Sequence, residues 1–419
     1  MKSRRILGFW NDFWFFPRSP LPISIYRILV GLVGLSWAVF YLRRGELLFW
    51  YGQQGVLSVA TAVRIAPQPY KFILSALPLG DGWIVGYFVL FIIAAFMLTI
   101  GLFTRFSAAV VWFGYIFFYH RNPVLTNAGD RILRDLSFFL IFSRAGDAVS
   151  LDRLWRIARG KEGMVLSESA PWAQRLIQMQ IWIVYFWTAY WKLQGTTWIE
   201  GTAVYWATRL ADFWSVRVPF FLECMWTLKL FTWFTLALEL LLGTLVWVVD
   251  FRYFILAAGV VFHAGIFLMF NIPIFSVVMI SSYATFIEPE HLSLAMGKIR
   301  SRTVHWLGES AEVIFQGGCS ACLRIRCLLQ VLDLWHKLSF VEVAAYSEPS
   351  DRGIRIRLKT GEELKGFEGF RWLSWKLPLL WPVAILLLLP PFSFLVKLTY
   401  NWCSKHKAFW LGIPQSCGQ

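Results

Sequence analysis

Residues Trp83–Phe103 read WIVGYFVLFIIAAFMLTIGLF, and no charged group interrupts them. About 20 apolar residues carry a helix across a bilayer core, so this stretch predicts a transmembrane helix. Working outward, seven further runs read the same way: Leu21–Leu42, Phe106–His120, Ile132–Arg144, Met179–Leu193, Leu230–Val249, Phe254–Phe270 and Ile272–Ile287. Several are short or carry polar residues, as expected of helices that face a protein interior rather than lipid.

Composition agrees with this reading. The 419 residues are 58% hydrophobic and 16% charged, with a mean hydropathy of +0.56. Soluble domains run about 45–50% apolar and about 25% charged, which excludes an ordinary soluble enzyme, a disordered chain and a small disulfide scaffold. The 24 Trp and 38 Phe suit bilayer interfaces. The net charge of +15 reads as positive cytoplasmic loops, and no basic run has the pattern of a nucleic-acid module, so no nucleic acid partner is expected. Six Cys are too sparse for a disulfide framework.

Lys and Arg set the expected orientation. Lys2, Arg4 and Arg5 lie at the N-terminus, Arg153, Arg156, Arg159, Lys161 and Arg175 after the fourth run, and Lys298, Arg300 and Arg302 after the eighth. Eight spans with both ends cytoplasmic satisfy all three groups. No cleavable leader is read at the start, so the first span is expected to act as its own insertion signal. The expected location is a prokaryotic-type cytoplasmic membrane, with the N-terminus and the C-terminal module inside.

Composition changes near Glu288. Val313–Phe315 and Leu338–Ala344 read as strands and Ser320–Trp335 as a helix. In Gly353–Lys359, Ile354, Ile356 and Leu358 alternate with Arg355, Arg357 and Lys359, the signature of a half-buried strand. Residues 377–398 are apolar but hold Pro378, Pro382, Pro390 and Pro391. They are read as short helices of a soluble module near the membrane, with a ninth span as the alternative. The fold class is an all-α multi-pass membrane bundle of about eight transmembrane helices, followed by a small α/β thioredoxin-like C-terminal domain. The boundaries are 1–290 for the membrane domain, 291–309 for a linker, 310–411 for the module and 412–419 for a tail.

Three features of the membrane half carry chemistry. Gln178, Tyr185, Thr188 and Lys192 share one helical face. A desolvated Lys loses its proton readily and can serve as a base, while a Lys at a helix end can also simply reach for the interface. Glu239 and His263 fall near the middles of their spans, where ionisable groups cost about 2.5–3.5 kcal/mol and are retained in pairs or in function. The segment from His120 to Arg131 is densely polar and is expected on the outer side, opposite Lys192. Asp130 with Arg134 and Arg131 with Asp135 have ion-pair spacing.

These residues resemble the vitamin K-dependent gamma-carboxylase-like HTTM family. The resemblance rests on Ile183-Val184-Tyr185-Phe186, Lys192-Leu193 and Trp198-Ile199-Glu200-Gly201-Thr202-Ala203. It continues through Arg27, Tyr51-Gly52, Gly55, Gly101-Leu102-Phe103-Thr104-Arg105, Arg121-Asn122-Pro123, Gly129-Asp130, Ser150-Leu151-Asp152, Glu239, His263 and Phe275. It spans about residues 8–290. It implies that Lys192 matches the Lys that deprotonates reduced vitamin K. It also implies supporting or ligand-binding roles for Tyr185, Trp198, Arg121, Asn122, Asp130, Arg131, Glu239 and His263. Where the carboxylase has a catalytic His, this chain has Gly129-Asp130, and the large lumenal domain that docks the carboxylase's protein substrate is absent. Glutamate carboxylation is therefore not expected, and a quinone-like or lipid ligand is the expectation that remains.

Cys319-Ser320-Ala321-Cys322 lies between an expected strand and an expected helix. A helix N-terminus stabilises a thiolate, so a C-x-x-C in this setting reads as a redox pair. No metal is expected. The alternatives are inert thiols, or zinc held by Cys319, Cys322, Cys403 and His406. The run Val313-Ile314-Phe315-Gln316-Gly317-Gly318-Cys319-Ser320-Ala321-Cys322 resembles the start of the DCC thiol–disulfide oxidoreductase family, as do Lys365-Gly366, Leu377-Pro378, Leu389-Pro390 and Tyr400. Gln316 replaces the family's usual Asp. The expected function is membrane redox chemistry, with Cys319 attacking, Cys322 resolving, a thiol redox partner, and a quinone as the one cofactor in view. The rivals are a non-catalytic ligand binder or scaffold, and a carboxylase-type enzyme acting on a small or lipid substrate.

Overall fold

The computed structural model describes residues 2–210, 223–303, 310–316, 320–333, 336–343, 355–377 and 380–411. The chain divides into two compact units, Met1–Ser150 with Ser167–Pro289, and Leu151–Leu166 with Glu290–Gln419.

The first unit is largely helical. All eight runs read as spans are helical: α1 (Leu21–Arg44), α2 (Asp81–Ile100), α3 (Thr104–Arg121), α4 (Ala128–Phe142), α5 (Trp172–Leu193), α6 (Met225–Leu242), α7 (Val249–Met269) and α8 (Pro273–Ser282), which continues as a tighter turn over Tyr283–Phe286. Four of them, α1, α2, α6 and α7, are long and apolar enough to cross a membrane. The outer faces of α2 and α7 expose Leu90, Ile93, Phe96, Phe254, Val261 and Leu268, as lipid contact requires. The other four are shorter or more polar, and the polar groups of α5 turn inward to partners described below.

Between helices in lipid there is no hydrophobic drive, so packing and internal hydrogen bonds hold the bundle. Trp37 of α1 sits among Phe91 of α2 and Phe118 of α3, each 5.3 Å away between ring centres. Such aromatic pairs add about 0.5–1.5 kcal/mol beyond their buried area. Arg27 of α1 is fully buried. Its guanidinium donates to the carbonyls of Val149 at 2.7 Å and Ala145 at 3.3 Å. Gly101 ends α2 in the left-handed region at φ 69°, and a Cβ there would lie 2.0 Å from the Arg27 Nη1. Only glycine lets the guanidinium pass.

The second unit holds a four-stranded mixed sheet in the order β2-β1-β3-β4, with β1 Ala311–Gln316, β2 Leu338–Val343, β3 Arg355–Leu358 and β4 Glu363–Lys365. β1 and β2 are parallel, joined through α9 (Ser320–Leu332), while β3 runs antiparallel to both β1 and β4. Val313, Leu329, Leu338, Ile356 and Leu373 form the core. In β3 Ile356 is buried and Arg357 exposed, as the alternation predicts, and Gly361 at φ 85° makes the turn that follows. β4 is too short to show an alternation and is not apparent from the sequence.

The helix read to Trp335 ends at Leu332 instead. Buried Asp333 takes the chain out of it by accepting from the Lys337 and Leu338 amides at 3.0 and 2.8 Å, which starts β2. Ala344, Gly353, Ile354 and Pro378 lie outside the described residues. Within 377–398 the chain forms α11 (Trp381–Leu386) and α12 (Pro390–Lys405), after α10 (Gly366–Lys376). The apolar segment is thus broken at 387–389, and neither piece is long enough to span a bilayer.

Candidate functional site

The polar face of α5 reaches three neighbouring elements. The Lys192 ammonium pairs with the Glu239 carboxylate on α6 and lies 4.5 Å from the centre of the Trp198 ring. Glu239 is buried, and its second oxygen, Oε2, has no hydrogen-bond partner among the described residues. Two turns along the same face, the Tyr185 hydroxyl bonds His263 Nε2 at 2.8 Å and also meets the Tyr283 hydroxyl. Two turns further again, Gln178 donates to the Thr285 carbonyl at 2.5 Å. Thr188 turns back to its own helix at Val184.

The sequence leaves open whether Glu239 and His263 pair. They take separate partners: Glu239 takes Lys192, and His263 takes Tyr185. His263 is buried, with Nδ1 unpartnered among the described residues and the ring edge-on to Phe275 at 5.4 Å. Tyr283, absent from the sequence reading, completes this network. Its hydroxyl reaches α7 because position 259 is glycine; a Cβ there would sit 2.6 Å from the hydroxyl oxygen. The one signal for it was a lone Tyr after Ser281-Ser282.

The loop residues have mainly structural partners. Arg121 and Asn122 are fully buried. Arg121 donates to the carbonyls of Leu57, at 2.8 Å, and Gly52, while Asn122 donates to that of Trp50 at 2.8 Å. The two expected ion pairs do not form. Asp130 instead caps α4 by accepting from the Asn127 amide at 2.8 Å, Arg131 donates to the Tyr119 hydroxyl at 3.2 Å, and Arg134 pairs with the adjacent Asp135. Capping competes for Asp130 because the first-turn amides have no helical partner. Gly129 lies against the Phe275 backbone, so the start of α4 borders the ring that touches His263.

In the second unit, Cys322 lies in the first turn of α9, directly after β1 and the intervening 317–319. Cys319 falls outside the described residues. Cys322 and Cys403 both line a cavity of about 730 Å³ with apolar walls that include Phe315, Leu329 and Val396. Burial pushes the Cys403 thiol up, which keeps it protonated at neutral pH. His406 is turned away to the Trp402 carbonyl at 2.9 Å and stacks on that indole. Among the described residues no group of three or more His, Cys, Asp or Glu could hold a metal.

Comparison with known proteins gives two matches, the first of which includes the segment Leu151–Leu166 that the structure groups with the second unit. A family model of the HTTM domain matches residues 17–291, and one of the DCC1-like thiol-disulfide oxidoreductase matches residues 313–413. No curated protein and no solved structure matches the chain.

Proposed function

The chain belongs to the HTTM domain family, and from that premise we propose that it is an integral membrane oxidoreductase that couples a dithiol module to an apolar substrate. The observation that carries this reading is the position of Cys322, on the first turn of a helix after a strand and facing an apolar cavity. The strand order β2-β1-β3-β4, with one parallel pair and two antiparallel ones, is the arrangement a thioredoxin-like module has, and it supports that finer reading.

In the proposed exchange, the Cys319 thiolate attacks a substrate disulfide and releases one thiolate. The Cys322 thiolate then attacks Cys319 and frees the other. The substrate gains two electrons, and the module is left with a Cys319–Cys322 disulfide.

In the membrane unit, Lys192 is the proposed base or ligand contact, with a quinone-like or lipid molecule as its ligand. Glu239 Oε2 and His263 Nδ1, both buried without a partner among the described residues, supply an acceptor and a second polar atom for it. The basic loops favour eight spans in a prokaryotic-type cytoplasmic membrane, with the N-terminus and the dithiol module inside. A second reading, a non-catalytic ligand binder, is favoured by Gln316 standing where the oxidoreductase family usually has Asp.

The test is differential thiol trapping of Cys319 and Cys322 in native membranes across graded redox buffers. A reversible two-electron couple, about 30 mV per decade, is expected, and it is expected to vanish in Cys319→Ser. Thiols that stay reduced under oxidising buffers would sink the redox reading and leave the ligand binder.

A further inference from the structure

A second cavity, of about 410 Å³, lies in the membrane unit away from Lys192, and its charge is one-sided. Arg18, Arg105 and Arg144 line it with Ser19, Ser143 and Ser169, and no Asp or Glu is part of its wall. Arg18 pairs with Glu288 at 3.1 Å and Arg144 with Asp147, each through one edge of its guanidinium. Arg105 is exposed and makes no ion pair among the described residues. The Arg18 Nε is buried without a hydrogen-bond partner among the described residues. Guanidinium groups carry donors in a fork that matches a phosphate oxyanion.

The backbone adds to this field. Pro20 and Pro171, the residues that precede α1 and α5, both line the cavity. Neither helix has a side-chain hydrogen bond from its N-cap residue. In α1 the Leu21 amide is taken by the Ser19 hydroxyl at 3.4 Å and residue 22 is proline. The backbone contribution is therefore the positive ends of the two helices, with first-turn amides supplied mainly by α5. Arg18 and Ser169 exchange two backbone hydrogen bonds, each 3.0 Å, which hold the two entry loops together. The remaining walls are apolar. Ile23 and Ile141 lie inside, and the partly exposed Phe142 and Trp172 stand at helix ends, where aromatic side chains meet the bilayer interface.

We propose that this pocket binds a phosphate-type oxyanion, with Arg18, Arg105 and Arg144 as its cationic contacts. Phe142 and Trp172 favour the headgroup of an anionic phospholipid over the free ion. The site is independent of the redox reading and stands or falls separately from it.

The test uses the full chain in detergent, titrated with dioleoylphosphatidylglycerol, dioleoylphosphatidylcholine or inorganic phosphate, with binding read by native mass spectrometry and by the thermal unfolding midpoint. Phosphatidylglycerol is expected to bind more tightly than phosphatidylcholine. Its affinity is expected to fall about tenfold in Arg105→Gln, equivalent to about 1.4 kcal/mol, and further in Arg18→Gln. Arg43→Gln, an exposed cation at the far end of α1, is expected to leave it unchanged. Arg105 is exposed and makes no ion pair among the described residues, so this variant carries the test even if Arg18→Gln fails to fold. Saturable binding of phosphate that is lost in Arg105→Gln, without a preference between the lipids, would support the same site with the free ion as its source. Equal binding of the two lipids with no phosphate effect, or equal losses in Arg105→Gln and Arg43→Gln, would overturn the proposal.

Discussion

The Lys192 ammonium and the Glu239 carboxylate, 47 positions apart, form an ion pair between α5 and α6. Each charge has a reason to be in the bundle only because the other is there. Removing one partner strands a buried charge and costs about 3–5 kcal/mol when burial is complete. Lys192 is 22% exposed, so a smaller loss, about 1–3 kcal/mol, is expected for Glu239→Leu, the variant that strands it. The double variant Lys192→Met, Glu239→Leu should recover much of it. A double-mutant cycle on thermal unfolding in detergent checks this, and additive losses would show that the pair is not coupled.

Gly259 and Tyr283 make a second coupled pair. Gly259→Ala puts a methyl 2.6 Å from the Tyr283 hydroxyl, and overpacking of this kind costs about 1–3 kcal/mol. Tyr283→Phe removes the nearest atom but keeps ring carbons 3.0 Å away, so it is expected to recover only part of the loss. Unfolding midpoints of the two single variants and the double variant measure it.

The thiols differ in pH response. Cys224 precedes α6, and hydrogen bonds from the Thr227 and Trp226 amides and the Thr227 hydroxyl hold its thiol below the ordinary value. Burial holds Cys403 above it. Alkylation needs the thiolate. As pH rises, Cys224 should therefore reach its half-maximal rate before Cys403, as read by mass spectrometry of iodoacetamide adducts. The reverse order would contradict the geometry.

Asp333 joins α9 to β2. Asp333→Ala takes the acceptor from the half-buried Lys337 amide and the buried Leu338 amide, and a buried donor left unpaired costs about 1–3 kcal/mol. A fall of that size in the stability of the second unit is expected. Hydrogen exchange at the Leu338 amide should rise with it.

The membrane class, the two-part organisation and the strand–thiol–helix order are legible in the sequence. They rest on local properties: the length of an apolar run, a change in composition, and an alternation over a few residues. The polar stripe of Gln178, Tyr185 and Lys192 is legible too, because helical spacing alone puts those side chains on one face. Their partners were decided by tertiary structure. Nothing local pairs Lys192 with Glu239 or brings Tyr283 to Tyr185, since in lipid the choice of neighbouring helix depends on side-chain shape and internal hydrogen bonds across the whole bundle. The same packing turned Arg121, Asn122 and Asp130 toward backbone groups. A buried carbonyl or helix-end amide must find a partner, and these side chains were the ones within reach.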